Sequence, residues 1–233
     1  MATKFQIGEA IGFGWDIFKK NVGFFIKLQL FIFFVIYILP SVITDGLYPL
    51  FEYGMTNGGT VEPEGAALVL LIIVALLVFL FSIFITVVQW VVSMGLIKIS
   101  LNFIDGAVSA IKTLFEPWKL ILRYIGSTIL YVLIVIGGLI LLIVPGIIWA
   151  IKYQFYVYLI VDKKMKVMES IKKSGEITKG SIWLLFLFGL AIVGINILGF
   201  LCLIVGLLAT IPLSMVAYAF VYRRLLEKAG AAA

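Results

Sequence analysis

The chain has 233 residues, 64% of them hydrophobic and 13% charged, with a mean hydropathy of +1.21 and a formal net charge of +6. A soluble domain carries about 25% charged residues, so these few charges cannot cover this much apolar surface in water, and the class is integral membrane protein. Histidine is absent, which removes the commonest general base and a common metal ligand, and the lone Cys202 excludes an intramolecular disulfide.

In chain order, "EAIGFGWDIFKKN" comes first, followed by the apolar block Val22–Ile43. Glu9 and Asp16 precede that block and no small-residue cleavage site follows a short apolar core, so the first span is expected to be retained. The next stretch, Thr44–Gly65, holds Asp45, Glu52, Glu62 and Glu64 and no Lys or Arg. A second block, Ala66–Phe103, reads as one span over about Ala67–Val92, whose helix continues or bends into the headgroup region. The blocks Tyr124–Val161 and Ile182–Tyr222 are each close to twice the ~20 residues of a span and must fold back. Pro145-Gly146 marks the expected turn of the first, and the stretch between Gly199 and Gly206 that of the second. The total is six spans. The acidic loop has no basic residue, while every Lys and Arg except Lys152 falls on the other side, so both termini are expected in the cytoplasm.

Three segments precede the odd-numbered spans: "IGFGWDIFK" from Ile11, "IKTLFEPWK" from Ile111 and "IKKSGEITK" from Ile171. Each has Ile, then an acid (Asp16, Glu116, Glu176), then a lysine three residues on (Lys19, Lys119, Lys179), a spacing that brings acid and lysine to one helix face. Apolar residues recur at helical spacing: Ile7, Ile11, Trp15 and Phe18 in the first, Ala107, Ile111, Leu114 and Trp118 in the second, Met168, Ile171, Gly175 and Thr178 in the third. That is the pattern of amphipathic helices lying in the membrane interface. The predicted fold is therefore an all-α membrane protein, a single membrane domain over 1–233 with six transmembrane helices. They form three parallel repeats of about 5–103, 104–162 and 163–228, each an interfacial amphipathic helix plus a two-span hairpin, in a pseudo-threefold bundle.

"IVPGIIWAIKYQFYVYLIVDK" followed by "ESIKKSGEITKGSIW", with the "GEAIGFGWDIFKKN" opening, resembles a broad group of poorly characterised prokaryotic six-span integral membrane proteins. That group is related to the membrane domain of some glycerophosphodiester phosphodiesterases. The resemblance covers most of the chain, with its specific part at Val144–Trp183. It implies a multi-pass protein of the cell (inner) membrane of a bacterium or archaeon. It does not carry over the phosphodiesterase activity, whose catalytic domain has no counterpart here.

No catalytic constellation is expected. Without histidine a Ser-His or Cys-His nucleophile is excluded, no carboxylate lies within a span, and the glycines match neither a P-loop nor a dinucleotide fingerprint. No metal or cofactor is expected either. Among polar residues in spans, Lys27 and Gln29 sit near an end where lysine can snorkel, and Asn196 fits a helix–helix hydrogen bond. Lys152 stands apart. It follows Pro145-Gly146 by six residues and precedes Asp162 by ten, which on an ideal helix puts it about 15 Å from the inner end. Lys152, Tyr153 and Gln154 are the candidate lipid- or anion-binding residues. The expected role is a lipid-interacting membrane organiser or accessory subunit without enzymatic activity. Its partners are anionic headgroups at the cytoplasmic face and a partner membrane protein, not nucleic acid. The alternatives are a small transporter or channel for an anionic or amphipathic solute, and a lipid-modifying enzyme of unusual chemistry.

Overall fold

The computed structural model describes residues 5–56, 65–107, 109–202 and 205–231, and among these no strand occurs. The helices are α1 (Ile7–Lys20), α2 (Val22–Phe33), a π-helical turn (Phe34–Ile38), α3 (Leu39–Thr56), α4 (Gly65–Ile104) and a 3₁₀ segment (Ile111–Leu120). They continue with α5 (Ile121–Leu141), α6 (Ile143–Tyr153), α7 (Tyr156–Lys163), α8 (Val167–Ile177), α9 (Ile182–Leu201) and α10 (Leu207–Ala231). Among the described residues five helical stretches are long and apolar enough to cross a membrane: Val22–Ile43, Ile72–Ile104, Ile111–Leu141, Ile143–Lys163 and Ile182–Leu201. These are the first five of the six expected spans. The chain divides into two compact units, one of Met1–Ile26 with Ser93–Ala233, the other of Lys27–Val92.

In the smaller unit the helix of the first span does not stop at Ile43. It runs through α3 to Thr56, so the first part of the expected loop is helical, and Glu62 and Glu64 lie outside the described residues. Ile72, Phe79, Leu80, Ile83 and Phe84 of α4 are exposed, which suits side chains solvated by lipid rather than by protein. Ser82 and Thr86 return their hydroxyls to the carbonyls of Val78 and Ser82, 2.8 Å each. This is how polar side chains are kept within one helix at membrane depth.

The larger unit is organised around α10. Val216, Ala217, Ala219, Val221 and Tyr222 are wholly inaccessible. A helix enclosed by protein does not need to be apolar all round, and α10 carries Arg223, Arg224, Glu227 and Lys228 near its end. The hairpin α5–α6 turns at Leu142, whose backbone is extended (φ −166, ψ 150), and not at Pro145-Gly146. Pro145 is the third residue of α6, in the first turn, where its missing N–H breaks no helical hydrogen bond. Gly146 serves the crossing instead: a Cβ on Gly138 would lie 2.9 Å from Gly146 Cα. The hairpin α9–α10 closes similarly on Gly199 and Gly206, and Asn196 Nδ2 donates to Ser214 Oγ across it at 2.9 Å.

The segments before the odd spans are elbows, but of unequal geometry. The first and third are α-helices, α1 and α8. The second, which contains Pro117, is 3₁₀. The residues each elbow buries against protein are the following. In α1 the buried residues are Ala10, Gly14 and Phe18, with Trp15 exposed. In the second elbow Thr113, Leu114 and Pro117 are buried and Trp118 exposed. In α8 the polar Ser170 and Ser174 join Ile171, Gly175 and Ile177 inside, while Met168 is exposed. The faces turned inward thus combine large apolar side chains, Phe18, Leu114, Ile171 and Ile177, with small ones, Ala10, Gly14, Ser170, Ser174 and Gly175, that let another helix approach.

Candidate functional site

Each elbow meets a different long helix at one register position. Three residues beyond Ile11, Ile111 and Ile171 come Gly14, Leu114 and Ser174, and all three are buried. Gly14 lies against α10, where a Cβ would stand 2.6 Å from the Leu213 carbonyl oxygen. Leu114 lies on Gly95 of α4, and a Cβ on Gly95 would strike the Leu114 backbone. Ser174 Oγ donates to the Lys152 carbonyl at the end of α6, 3.2 Å away.

The third junction holds the candidate residues. The helix breaks between α6 and α7, and α8 supplies the hydrogen bonds that the break exposes. Thr178 Oγ1 donates to the Lys152 carbonyl at 2.9 Å, and the Phe155 N–H donates to Ser174 Oγ at 3.2 Å. Gln154 occupies the break itself. Lys152 Nζ stands 5.2 Å from the centre of the Tyr153 ring, a cation–π distance, and both side chains press on Gly175. Lys152, Tyr153 and Gln154 are thus brought together with the third elbow. They share its level in the bundle, which was not legible from the distance to Asp162. Around them Thr128 Oγ1 and Tyr156 Oη lie 2.9 Å apart, Ser127 and Ser170 hydroxyls 3.3 Å, and Tyr131 donates to the Ala150 carbonyl at 3.2 Å. These bonds join α5 to α6, α7 and α8.

The acid–lysine pairs form in one elbow of three. Asp16 and Lys19 pair at 3.1 Å. Glu176 takes Lys173 instead, at 3.0 Å, three residues on its other side. Among the described residues no ion pair joins Glu116 to Lys119 or Glu176 to Lys179. Lys119 extends over Trp118 instead, 5.8 Å from the ring centre. Ile171 is 3% exposed, whereas Ile11 packs partly buried against the core of the unit.

A charged cluster lies beyond the junctions. Ten residues after Gly95, Lys152 and Leu213 come Asp105, Asp162 and Arg223. The Arg223 guanidinium spans both carboxylates, with Nη2 at 2.6 Å from Asp105 and Nη1 at 2.7 Å from Asp162. Tyr222 Oη also donates to Asp162, at 2.9 Å. Burial opposes the charge on Arg223, and the two carboxylates outweigh it and hold its pKa above the ordinary arginine value. Between this cluster and the junctions, the rings of Phe155, Tyr158 and Tyr222 pack with centroids 5.2–6.2 Å apart. Glu9 and Arg224 add a tie between α1 and α10 at 2.7 Å. The cluster was not anticipated from the sequence; the signal that points to it is a charged residue, Asp105, Asp162 or Arg223, just past the end of an apolar run.

Five long apolar helical stretches, glycine-closed hairpins and polar side chains capping a break within an apolar stretch are consistent with a helical membrane protein. Within that class the chain belongs to the family described as "Protein of unknown function (DUF975)", whose model matches residues 1–229. It is 28% identical over 230 residues to an uncharacterized protein of Mycobacterium bovis, covering 96% of this chain and 70% of that one. Uncharacterized proteins from two strains of Mycobacterium tuberculosis match over the same length and shares, at 28% and 27% identity. No solved structure matches the chain. Nothing in these comparisons links it to the membrane domain of glycerophosphodiester phosphodiesterases.

Proposed function

We propose that this is a lipid-interacting membrane organiser or accessory subunit without enzymatic activity, built of six spans in three repeats with both termini in the cytoplasm. One observation carries the reading. Tryptophans are exposed on the first two elbows and at the start of α9, just past the third: Trp15, Trp118 and Trp183, at 42%, 59% and 71% exposure. The first two have a lysine over the ring, Lys19 at 5.9 Å and Lys119 at 5.8 Å. Tryptophan partitions to the headgroup level, and lysines beside it attract anionic lipid by about 1 kcal/mol each. The recurrence of one contact register in three elbows, and of a charge ten residues past each contact, supports the threefold reading. The test is thermal stability in nanodiscs of graded anionic-lipid content. The wild type gains stability as that content rises, and the triple variant Trp15→Ala, Trp118→Ala, Trp183→Ala loses most of the gain. An unchanged lipid dependence in the variant overturns the proposal.

A transporter or channel for an anionic solute is favoured by a different observation, the discontinuous helix α6–α7 beside Lys152, since broken spans are where transporters build sites. Lys152→Met then abolishes anion flux in reconstituted vesicles. Absence of flux in the wild type removes this second reading.

A further inference from the structure

Positive charge collects on the third elbow. Lys163–Lys179 carries six lysines and two glutamates, whereas in Ile7–Lys20 two acids balance two lysines. Both glutamates of the third elbow are engaged within it. Glu169 accepts the Lys166 N–H at 3.3 Å, and Glu176 takes Lys173 at 3.0 Å. Lys163 lies 3.4 Å from Asp162. Among the described residues no carboxylate pairs with Lys152, Lys172 or Lys179.

These three lysines flank Gly175. A Cβ there would stand 3.2 Å from Lys152 Cε and 3.0 Å from Tyr153 Cε1, so the bare glycine lets the half-buried Lys152 chain lie across α8. Lys172 is three residues before Gly175 and Lys179 four after it, spacings that share a helix face, and both are exposed. The helical path holds as far as Lys179. The Thr178 N–H donates to the Ser174 carbonyl at 3.2 Å, and the Lys179 N–H to the Glu176 carbonyl at 3.1 Å. At 3.6 residues per turn these two lysines stand about 40–60° around α8 from Gly175, and the two glutamates about 100–120°.

The other two elbows lack such a place. Four residues beyond Ile11 and Ile111 stand Trp15 and Phe115 where the third elbow has Gly175, and ten residues before Asp105 and Arg223 stand Gly95 and Leu213 where Asp162 has Lys152. Three ammonium groups offer only donors and repel one another until an anion stands among them. A phosphate, with several acceptor oxygens, suits lysines that act as point charges. The position selects a lipid phosphate. The elbow leads directly into the apolar stretch Ile182–Leu201, and Met168 and Trp183 expose apolar side chains at its two ends, at 54% and 71%. We infer that Lys152, Lys172 and Lys179 form one site at Gly175 that binds the phosphate of an anionic phospholipid. This inference rests on the lipid-interacting reading and places one headgroup within it.

The full chain, delipidated in detergent, is titrated with phosphatidylglycerol or with phosphatidylcholine of the same acyl chains, and bound lipid is counted by native mass spectrometry. Phosphatidylglycerol binds about tenfold tighter, because the choline head brings a cation to three ammonium groups. Lys152→Met weakens phosphatidylglycerol about fivefold and Lys172→Gln with Lys179→Gln about thirtyfold, the attraction of one and two lysines near an anionic surface converted to affinity. Lys20→Gln with Lys112→Gln removes as much charge from exposed positions of the other two elbows, and screening keeps its effect within about twofold. Equal affinity for the two lipids overturns the inference. So does a loss in the Lys172 and Lys179 variant no larger than in the Lys20 and Lys112 variant, or a Lys152→Met protein that binds as the wild type does. Displacement of the lipid by an equal concentration of inorganic phosphate assigns the site to free phosphate and overturns the lipid assignment. The tryptophan triple variant is run in parallel. If its anionic-lipid dependence falls while the three lysines have no effect, only the Gly175 site fails. If neither effect is seen, the lipid-interacting reading fails as well.

Discussion

Replacing Arg223 with methionine tests what holds the ends of α4, α7 and α10 together. Arg223 is 17% exposed and Asp162 12%, so this arm of the cluster is largely withdrawn from solvent. Removing the cation leaves Asp162 with only Tyr222 Oη and Lys163 Nζ, the latter at 3.4 Å. Breaking a buried ion pair on one side costs about 3–5 kcal/mol, because the remaining charge is uncompensated. The Asp105 arm adds little: its carboxylate is 49% exposed, and exposed pairs contribute about 0.2–1 kcal/mol. For a chain of this size, the expected loss in Tm is roughly 6–20 °C. The measurement is thermal unfolding of the purified protein in detergent, followed by circular dichroism and by reactivity of the one cysteine. Neutralising the partner as well, in Arg223→Met with Asp162→Asn, is expected to restore stability to within about 1 kcal/mol of wild type, since no buried charge is then left alone. A loss below about 1 kcal/mol in the single variant, the range of exposed pairs, would refute the view that this cluster fastens the helix ends. So would a double variant no better than the single.

Gly95→Ala forces a methyl group into the Leu114 backbone and is expected to cost about 1–3 kcal/mol; Gly12→Ala, with nothing within 4 Å, gains about 0.5–1 kcal/mol from helix propensity. The same unfolding assay separates them, and equal effects would contradict the close crossing. Ser174→Ala with Thr178→Val strips the donors from the Lys152 carbonyl, and a loss of about 1–3 kcal/mol should come with faster hydrogen exchange at the Phe155 amide; unchanged exchange there means the break is capped in some other way. For topology, a cysteine at Asn57, outside the described residues, should label with an impermeant thiol reagent in whole cells while one at Lys173 does not. Equal labelling reverses or abolishes the proposed orientation.

The spans were legible because a membrane imposes a coarse requirement, about 20 apolar residues per crossing, and the four blocks meet or double it. The polar segments starting at Ile11, Ile111 and Ile171 were legible as interruptions of the apolar runs. The faces that the elbows turn to protein were not legible: Gly14, Ser170 and Ser174 are buried, while Trp15 and Trp118 are exposed. Periodicity ranks positions by hydrophobicity, but lipid accepts a tryptophan as readily as protein does. What decides burial between helices in a membrane is size and hydrogen bonding, and there glycine and serine win. The turn at Leu142 was misplaced to Pro145-Gly146 because proline within the first helical turn gives the same local signal as proline in a loop.

The sequence by itself determined how apolar the chain is, how many residues each apolar run holds, where the charges lie along it, and where polar stretches interrupt it. Those properties depend on composition and on distances of a few residues, which the chain carries locally. Only the tertiary structure decided that Arg223 reaches Asp105 and Asp162 across separations of 118 and 61 residues, that α8 caps the break after Lys152, and that the Lys152 side chain lies on Gly175. Each of these depends on the close approach of distant segments. That approach is set by glycines at crossings and by buried donors seeking acceptors, terms of short range whose partners no local pattern names.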